Sequence, residues 1–201
     1  MKTKEKILAS ALRLFNTDGV ENVTTRHIAA EIGISQGNLH YHYPNKNEVI
    51  IALYRDFMNR LEGARRYNAQ KVFKKEDVLA SMKENFKIMN AYCFFFKDNE
   101  VVWRRLPAIQ KDMIALLQHK KNEIKAIINQ YTQQGIFRTD ISKHQIEFLA
   151  EQFIFTISAW LTASEYMNKT TDAAFYFSIF AFRQWLPYLT QEAMREWEDI
   201  L

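Results

Sequence analysis

The chain has 201 residues, 48% hydrophobic and 25% charged, an ordinary globular balance that excludes a disordered polypeptide. Five glycines and three prolines are too few turn-formers for a sheet protein and favour an all-α fold. The net charge of +4 permits an anionic partner without demanding one. A lone cysteine, Cys93, rules out an intrachain disulfide. No apolar run approaches the ~18 residues of a membrane span, and no apolar leader follows Met1, so a cytoplasmic protein without membrane contact is expected.

In chain order, residues 4–17 predict a helix with Ile7, Leu8, Ala11, Leu12 and Phe15 on one stripe and Gly19 as its stop. Thr24 predicts the cap of a short helix that buries Ile28, Ala29 and Ile32 and breaks at Gly33. Ser35 caps a second short helix, ended by Pro44. Asn45 and Glu48 have the spacing of a capping box. They open a helix over 46–67 with Val49, Ile50, Leu53, Phe57 and Leu61 inward. Further helices are expected near 75–96, 100–105, 107–134, 142–168, 170–186 and 190–200, with Pro107 in a first turn and Ser142 as a cap. No repeat or flexible linker interrupts them.

Two short helices joined by a glycine-containing turn, with a longer helix on each side, describe a helix-turn-helix. Its second helix must anchor one face and present hydrogen-bonding groups on the other. Leu39 and Tyr43 can face inward, leaving Gln36, Gly37, Asn38, His40, Tyr41 and His42 outward. That surface is polar, aromatic and suited to base edges and phosphates. His40 and His42 could be read as metal ligands, but residues two apart on a helix point to different faces and no cysteine or carboxylate cluster joins them.

Residues 5–54 resemble the DNA-binding domain of the TetR family of bacterial regulators. The matching features are Ala11, Phe15, Gly19, Thr24, Ile28-Ala29, Gly33-Ile34-Ser35, Gly37-x-Leu39, Tyr41-His42-Tyr43 and Lys46. The resemblance implies phosphate contacts at Thr24, Thr25, Ser35, Tyr41, His42 and Lys46, and base reading by Gln36, Gly37, Asn38 and His40. His40 departs from a usual tyrosine, and His27 from a common acidic residue.

The expected architecture is all-α: an N-terminal three-helix helix-turn-helix head, residues 1–46, joined to a larger helical bundle, residues 47–201, that binds an effector and dimerises. The expected function is an effector-released repressor acting as a homodimer on a palindromic operator in double-stranded DNA. The resemblance implies a pocket for a small apolar effector. Phe86, Met89, Tyr92, Phe96, Trp103, Met113, Leu117, Phe153 and Trp160 either line it or fill the core. The helices 142–168 and 170–186 are apolar on more than one face, which demands burial. Phe155, Phe175, Phe182 and Trp185 are expected at a subunit interface where paired helices of two chains form a four-helix bundle. A large core within one chain is the alternative. The crowded run Tyr92–Phe96 needs a second element, a cavity or a partner, because four aromatics in five residues cannot share one helix face. Cys93 reads as a small buried residue, and Lys120-Lys121 as solvated surface.

No nucleophile elbow, phosphate-cradling glycine loop, metal motif or supported carboxylate pair occurs. Enzymatic activity, a cofactor and a metal are therefore not expected. Competing readings are a regulator controlled by a protein partner without a small-molecule pocket, and an all-α hydrophobic-ligand carrier that no longer binds DNA.

Overall fold

The computed structural model describes residues 2–68, 75–167 and 172–197. Its helices are α1 (Thr3–Asp18), α2 (Thr25–Glu31), α3 (Gln36–His42), α4 (Lys46–Asn68), α5 (Lys75–Ala91), α6 (Phe94–Lys97), α7 (Asn99–Arg105), α8 (Pro107–Gln133), α9 (Lys143–Met167), α10 (Ala173–Arg183) and α11 (Gln191–Glu196). A 3-10 turn over Leu186–Tyr188 precedes α11. Among the described residues no helix is long and apolar enough to cross a membrane. The expected helix ends at 168, 170–171 and 198–200 lie outside the described residues.

The chain divides into two compact units. One holds residues 1–65 and 88–112, the other 66–87 and 113–201. In the first unit α1 buries Ile7, Ala11, Leu14 and Phe15. Leu8 and Leu12, expected in that stripe, are only half-buried, because the buried arc follows the i, i+4, i+7, i+8 row. The five residues expected to face inward on α4 are all buried, and Tyr54 joins them.

The helix expected over 75–96 is broken at Tyr92–Cys93, a correction with a specific cause. The side-chain amide of Asn16 donates to the carbonyl of Ala91 at 2.8 Å, and its oxygen accepts the amide of Phe94 at 3.1 Å. A continuous helix would have paired those two backbone groups internally. The aromatics then part to both sides. Phe94 packs on Phe15 of α1 at 5.3 Å. Tyr92, Phe95 and Phe96 ring Phe57 of α4 at 5.4, 5.8 and 6.2 Å between centroids. The Tyr92 hydroxyl donates to Asp56. Burial, and then this carboxylate, push the phenol up to about 12. Cys93 is buried.

The second unit is built on aromatic packing. Trp185 meets Phe137, Phe153 and Phe182 at 5.8, 5.8 and 5.9 Å. Trp197 meets Phe182 at 4.9 Å and Tyr131 at 5.9 Å. The stretch after α8 is tied to the stretch before α11 by an isolated bridge, Phe137 opposite Leu189. There Arg138 donates to the Tyr188 carbonyl and Thr190 to that of Ile136, each at 2.9 Å.

Phe182 and Trp185, expected at a subunit interface, are 0% and 1% exposed. Their surfaces are consumed by this chain's own core: Phe137 and Phe153 meet Trp185, and Trp197, just after α11, covers Phe182. By contrast Phe155 and Phe175 stand 74% and 55% exposed, and Phe148, Tyr176 and Phe180 are exposed beside them in sequence.

Lys121, expected as solvated, reaches from α8 to Glu147 and Glu151 of α9 at 2.5 and 2.8 Å, and Lys125 reaches Glu147 at 2.6 Å. The hydrogen bonds from Lys121 and Lys125 hold the Glu147 carboxyl at about 2, below its ordinary 4.5. A depressed folded pKa contributes stability above the ordinary value, and that contribution disappears as pH falls towards the folded one. Glu147→Gln should therefore flatten the acid limb of stability in that window, measured by urea denaturation at stepped pH. An unchanged limb would show the bridge to be energetically silent, as many exposed pairs are.

Candidate nucleic-acid interface

The interface candidate begins with a helix that must stop. α1 ends at Gly19, whose φ of +79° is open to glycine at little cost. Val20 and Val23 of the following turn are buried. Thr24 then caps α2: its hydroxyl accepts the His27 amide at 3.2 Å, and its own amide donates to His27 Nδ1 at 3.4 Å. The histidine thus takes the place of the acidic member of a capping box, which requires a lone pair on Nδ1. Ile28 and Ala29 are the buried residues of α2. Gly33, at φ +67°, turns the chain, and Ser35 caps α3 by accepting the Asn38 amide at 3.1 Å.

Within α3 only Leu39 is buried. Tyr43, at its end, is half-buried, and burial raises its phenol. Gln36, Gly37, Asn38, His40 and Tyr41 are exposed and His42 is half-exposed. Tyr41 is 85% exposed and its ring meets His42 edge-on at 5.2 Å. His40 Nε2 lies 3.5 Å from the Thr25 hydroxyl. The structure thereby brings a residue expected to read bases beside one expected to meet phosphate. Among the described residues no group of three or more His, Cys, Asp or Glu is placed to hold a metal.

Gly37 has no backbone reason to be glycine. It carries no positive φ, and a Cβ there would find nothing nearer than Ser35 Oγ at 3.9 Å. Gly37→Ala should stabilise the protein by about 0.4–1 kcal/mol by restricting the unfolded chain. Thermal denaturation checks this, and a destabilised variant would mean that position 37 is more crowded than a 3.9 Å approach to Ser35 Oγ allows.

Lys46 is placed differently from the other expected contacts. Its ammonium donates to the carbonyls of Val20 and Val23 at 2.7 and 2.8 Å and approaches that of Glu21 at 3.5 Å. Burial, then Arg105, lower its pKa, and Glu21 opposes them. Sequence reasoning also missed Asn16, Asp98 and Arg105. Asp98 accepts the Val20 amide at 2.7 Å, and Arg105 lies 3.4 Å from the Glu21 carboxylate. These pairs are 75 or more residues apart in sequence, beyond any helical period.

The expected effector residues fall into separate groups. Phe86 stacks on Phe177 at 4.5 Å, and Trp160 reaches the same ring at 5.7 Å. Phe153 joins the Trp185 cluster, and Met113 is buried. Leu117 is half-buried in the same unit. Met89, Tyr92, Phe96 and Trp103 belong to the first unit, where Tyr92 and Phe96 are engaged with Phe57.

Two family descriptions match the chain. Bacterial regulatory proteins, tetR family, covers residues 7–53, and the TetR bacterial transcriptional repressor family covers residues 53–196. Among curated relatives, the tetracycline repressor protein class D of Escherichia coli is 35% identical over 57 residues, 28% of this chain and 26% of the relative. IcaR, the negative regulator of the biofilm operon icaADBC in Staphylococcus epidermidis, is 28% identical over 94 residues, 47% of this chain and 44% of the relative. The chain thus spans only about a quarter to under half of these relatives' length. Over the whole chain, a crystal structure of a TetR-family transcriptional regulator from Marinobacter aquaeolei VT8 superposes with a TM-score of 0.86 at 25% identity, covering 100% of this chain and 99% of that one. The ketosteroid regulator KstR2 of Mycobacterium tuberculosis shares the fold, with a TM-score of 0.76 at 17% identity over 94% and 96% of the two chains.

Proposed function

The chain belongs to the TetR family of bacterial regulatory proteins, and from that premise we propose that it is a DNA-binding transcriptional repressor released by a small apolar effector. The observation that carries the proposal is α3 itself: one buried anchor, Leu39, and an outer face of exposed hydrogen-bonding groups. A recognition helix needs this division, since phosphate contacts set register and base edges set sequence. Gln36, Gly37, Asn38 and His40 read bases. Thr24, Thr25, Ser35, Tyr41 and His42 meet phosphates. Lys46 serves the same surface from behind the α1–α2 turn.

DNA recognition is assigned to residues 1–46, and effector sensing and dimerisation to residues 47–201, in a cytoplasmic protein that works without enzymatic chemistry. The exposed Phe155 and Phe175 support a homodimer, because apolar rings on α9 and α10 gain by burial against a second copy. In the Phe86–Phe177–Trp160 group the indole N–H of Trp160 is buried and has no hydrogen-bond partner among the described residues. Such a donor is costly unless something accepts from it, which suits an apolar effector carrying one acceptor. Release follows if the effector prefers a conformation that binds DNA poorly, with α4 carrying the change.

Asn38→Ala tests the reading. It should change which operator bases are preferred, at about 1–3 kcal/mol of discrimination, and leave affinity for unrelated DNA nearly unchanged. Competition binding with single-base operator variants measures this, and an unaltered preference would remove Asn38 from base readout.

A further inference from the structure

Residues 33–45, which hold α3 and its flanks, contain no Lys, Arg, Asp or Glu. Proteins gain affinity for DNA by setting cations beside phosphates, yet the proposed recognition helix carries no fixed charge of its own. The groups on it that change charge near neutral pH are the imidazoles of His40 and His42. Three of the chain's five histidines lie in the head, at 27, 40 and 42, so the charge that the head shows to DNA is set by pH more than that of the body is.

The surroundings of these histidines differ. His40 is exposed, and its Nε2 lies 3.5 Å from the uncharged Thr25 hydroxyl of α2. His42 is half-exposed, with the Tyr41 ring edge-on to it at 5.2 Å. Among the described residues no charged side chain bonds to either imidazole. α2, which packs on α3, carries Arg26 and Glu31, and Glu31 pairs with Arg13 of α1 at 2.5 Å. α4 opens with Lys46, which donates to the Val20 and Val23 carbonyls, and Glu48, whose amide caps on Asn45. Both imidazoles belong to the last turn of α3, where the helix dipole favours a cation. With no carboxylate of the fold bonded to either, an incoming phosphate is the anion that favours their charged form. His27 is used otherwise: its Nδ1 accepts the Thr24 amide at 3.4 Å, and a proton there would take the acceptor away from the cap of α2.

We propose that operator binding takes up protons on α3, at His40 and His42, so that the repressor holds DNA more tightly as pH falls through neutrality. The proposal rests on the reading of α3 as the DNA-recognition helix. The sign follows from linkage: a group that holds its proton more strongly in the complex than in the free protein strengthens the complex at low pH, and that gain is lost as pH rises. Protonation of His27 acts the other way, because it removes a bond of the fold and adds a cation at the positive end of α2.

The test uses the full-length protein and an operator selected from random DNA near neutral pH. From about pH 8 to about pH 6, the range in which imidazole titrates, wild-type affinity should rise about three- to tenfold for each histidine that takes up a proton. The slope of log affinity against log salt should steepen over the same range, by up to about 0.9 for each proton placed beside a phosphate. His40→Gln and His42→Gln should each remove part of the rise, and the double variant nearly all of it. His27→Gln, which keeps an acceptor for the Thr24 amide, should retain the rise. Wild-type affinity that is flat or falls over this range overturns the proposal, as does a rise that persists in the double variant or disappears in His27→Gln. Should the double variant not fold, titration calorimetry of the wild type in buffers of different ionisation enthalpy decides: net proton uptake on operator binding is expected, and proton release or no exchange overturns the proposal. A wild-type protein that selects no operator at any pH would defeat the DNA-reading proposal itself, an outcome distinct from a flat pH response.

Discussion

Phe57→Ala is expected to cost about 3–5 kcal/mol of stability and to lower the thermal midpoint by about 6–20 °C for a chain of this size. The ring is 0% exposed and is enclosed by Tyr92, Phe95 and Phe96. Truncation removes an apolar side chain and leaves a cavity that three rings from one short segment cannot close. Those rings are themselves held. Asn16 pins the backbone of Ala91 and Phe94, and Asp56 accepts the Tyr92 hydroxyl. Collapse around the cavity would break those bonds, so the cost should sit in the upper part of the range. Phe57→Leu, which fills most of the volume, should cost about 1.5 kcal/mol or less. A loss below ~1 kcal/mol for the alanine variant would mean that the site relaxes freely, contrary to the packing described.

The same cluster shows where a reading of the sequence succeeds and where it stops. The inward face of α4 followed from its spacing alone, because one helix period decides which residues are covered. The caps at Thr24, Ser35 and Asn45 followed equally, since each bonds an amide three residues on. The break at Tyr92–Cys93 did not, although the crowding of aromatics there demanded a second element. Its cause is the side chain of Asn16, 75 residues earlier, and no local pattern carries that. The candidate interface divides in the same way. The outward set on α3 was readable from Leu39 and the glycine and serine positions. The grip on the α1–α2 turn was not, because nothing local ties Asp98 to the Val20 amide 78 residues earlier, and Lys46 carried only the phosphate contact that the resemblance implies. Phe182 and Trp185 illustrate the reverse: a helix apolar all round announces burial but not whether its own chain or a partner provides it.

The second large effect is expected from the exposed rings of α9 and α10. In the proposed homodimer, Phe155→Arg with Phe175→Arg would place two cations where two apolar side chains meet a second copy. Since Phe155 and Phe175 are 74% and 55% exposed in the single chain, the fold itself should lose little. The dimer should dissociate. Operator affinity should fall by about 10²–10⁴-fold, because two linked heads bind a two-part site far more tightly than one head binds half of it. Light scattering and operator titration on the same preparation measure both. A variant that stays dimeric with unchanged affinity would show that these rings do not join subunits.

In the proposed repressor α3 reads sequence, in a pair of heads related by two-fold symmetry. Selection of bound duplexes from random DNA with the purified wild-type protein tests it most directly. An enriched, near-palindromic sequence is expected, with half-sites separated by about one DNA turn, ~34–36 Å, or a multiple of it. A bound pool with no sequence enriched over the starting DNA would contradict it.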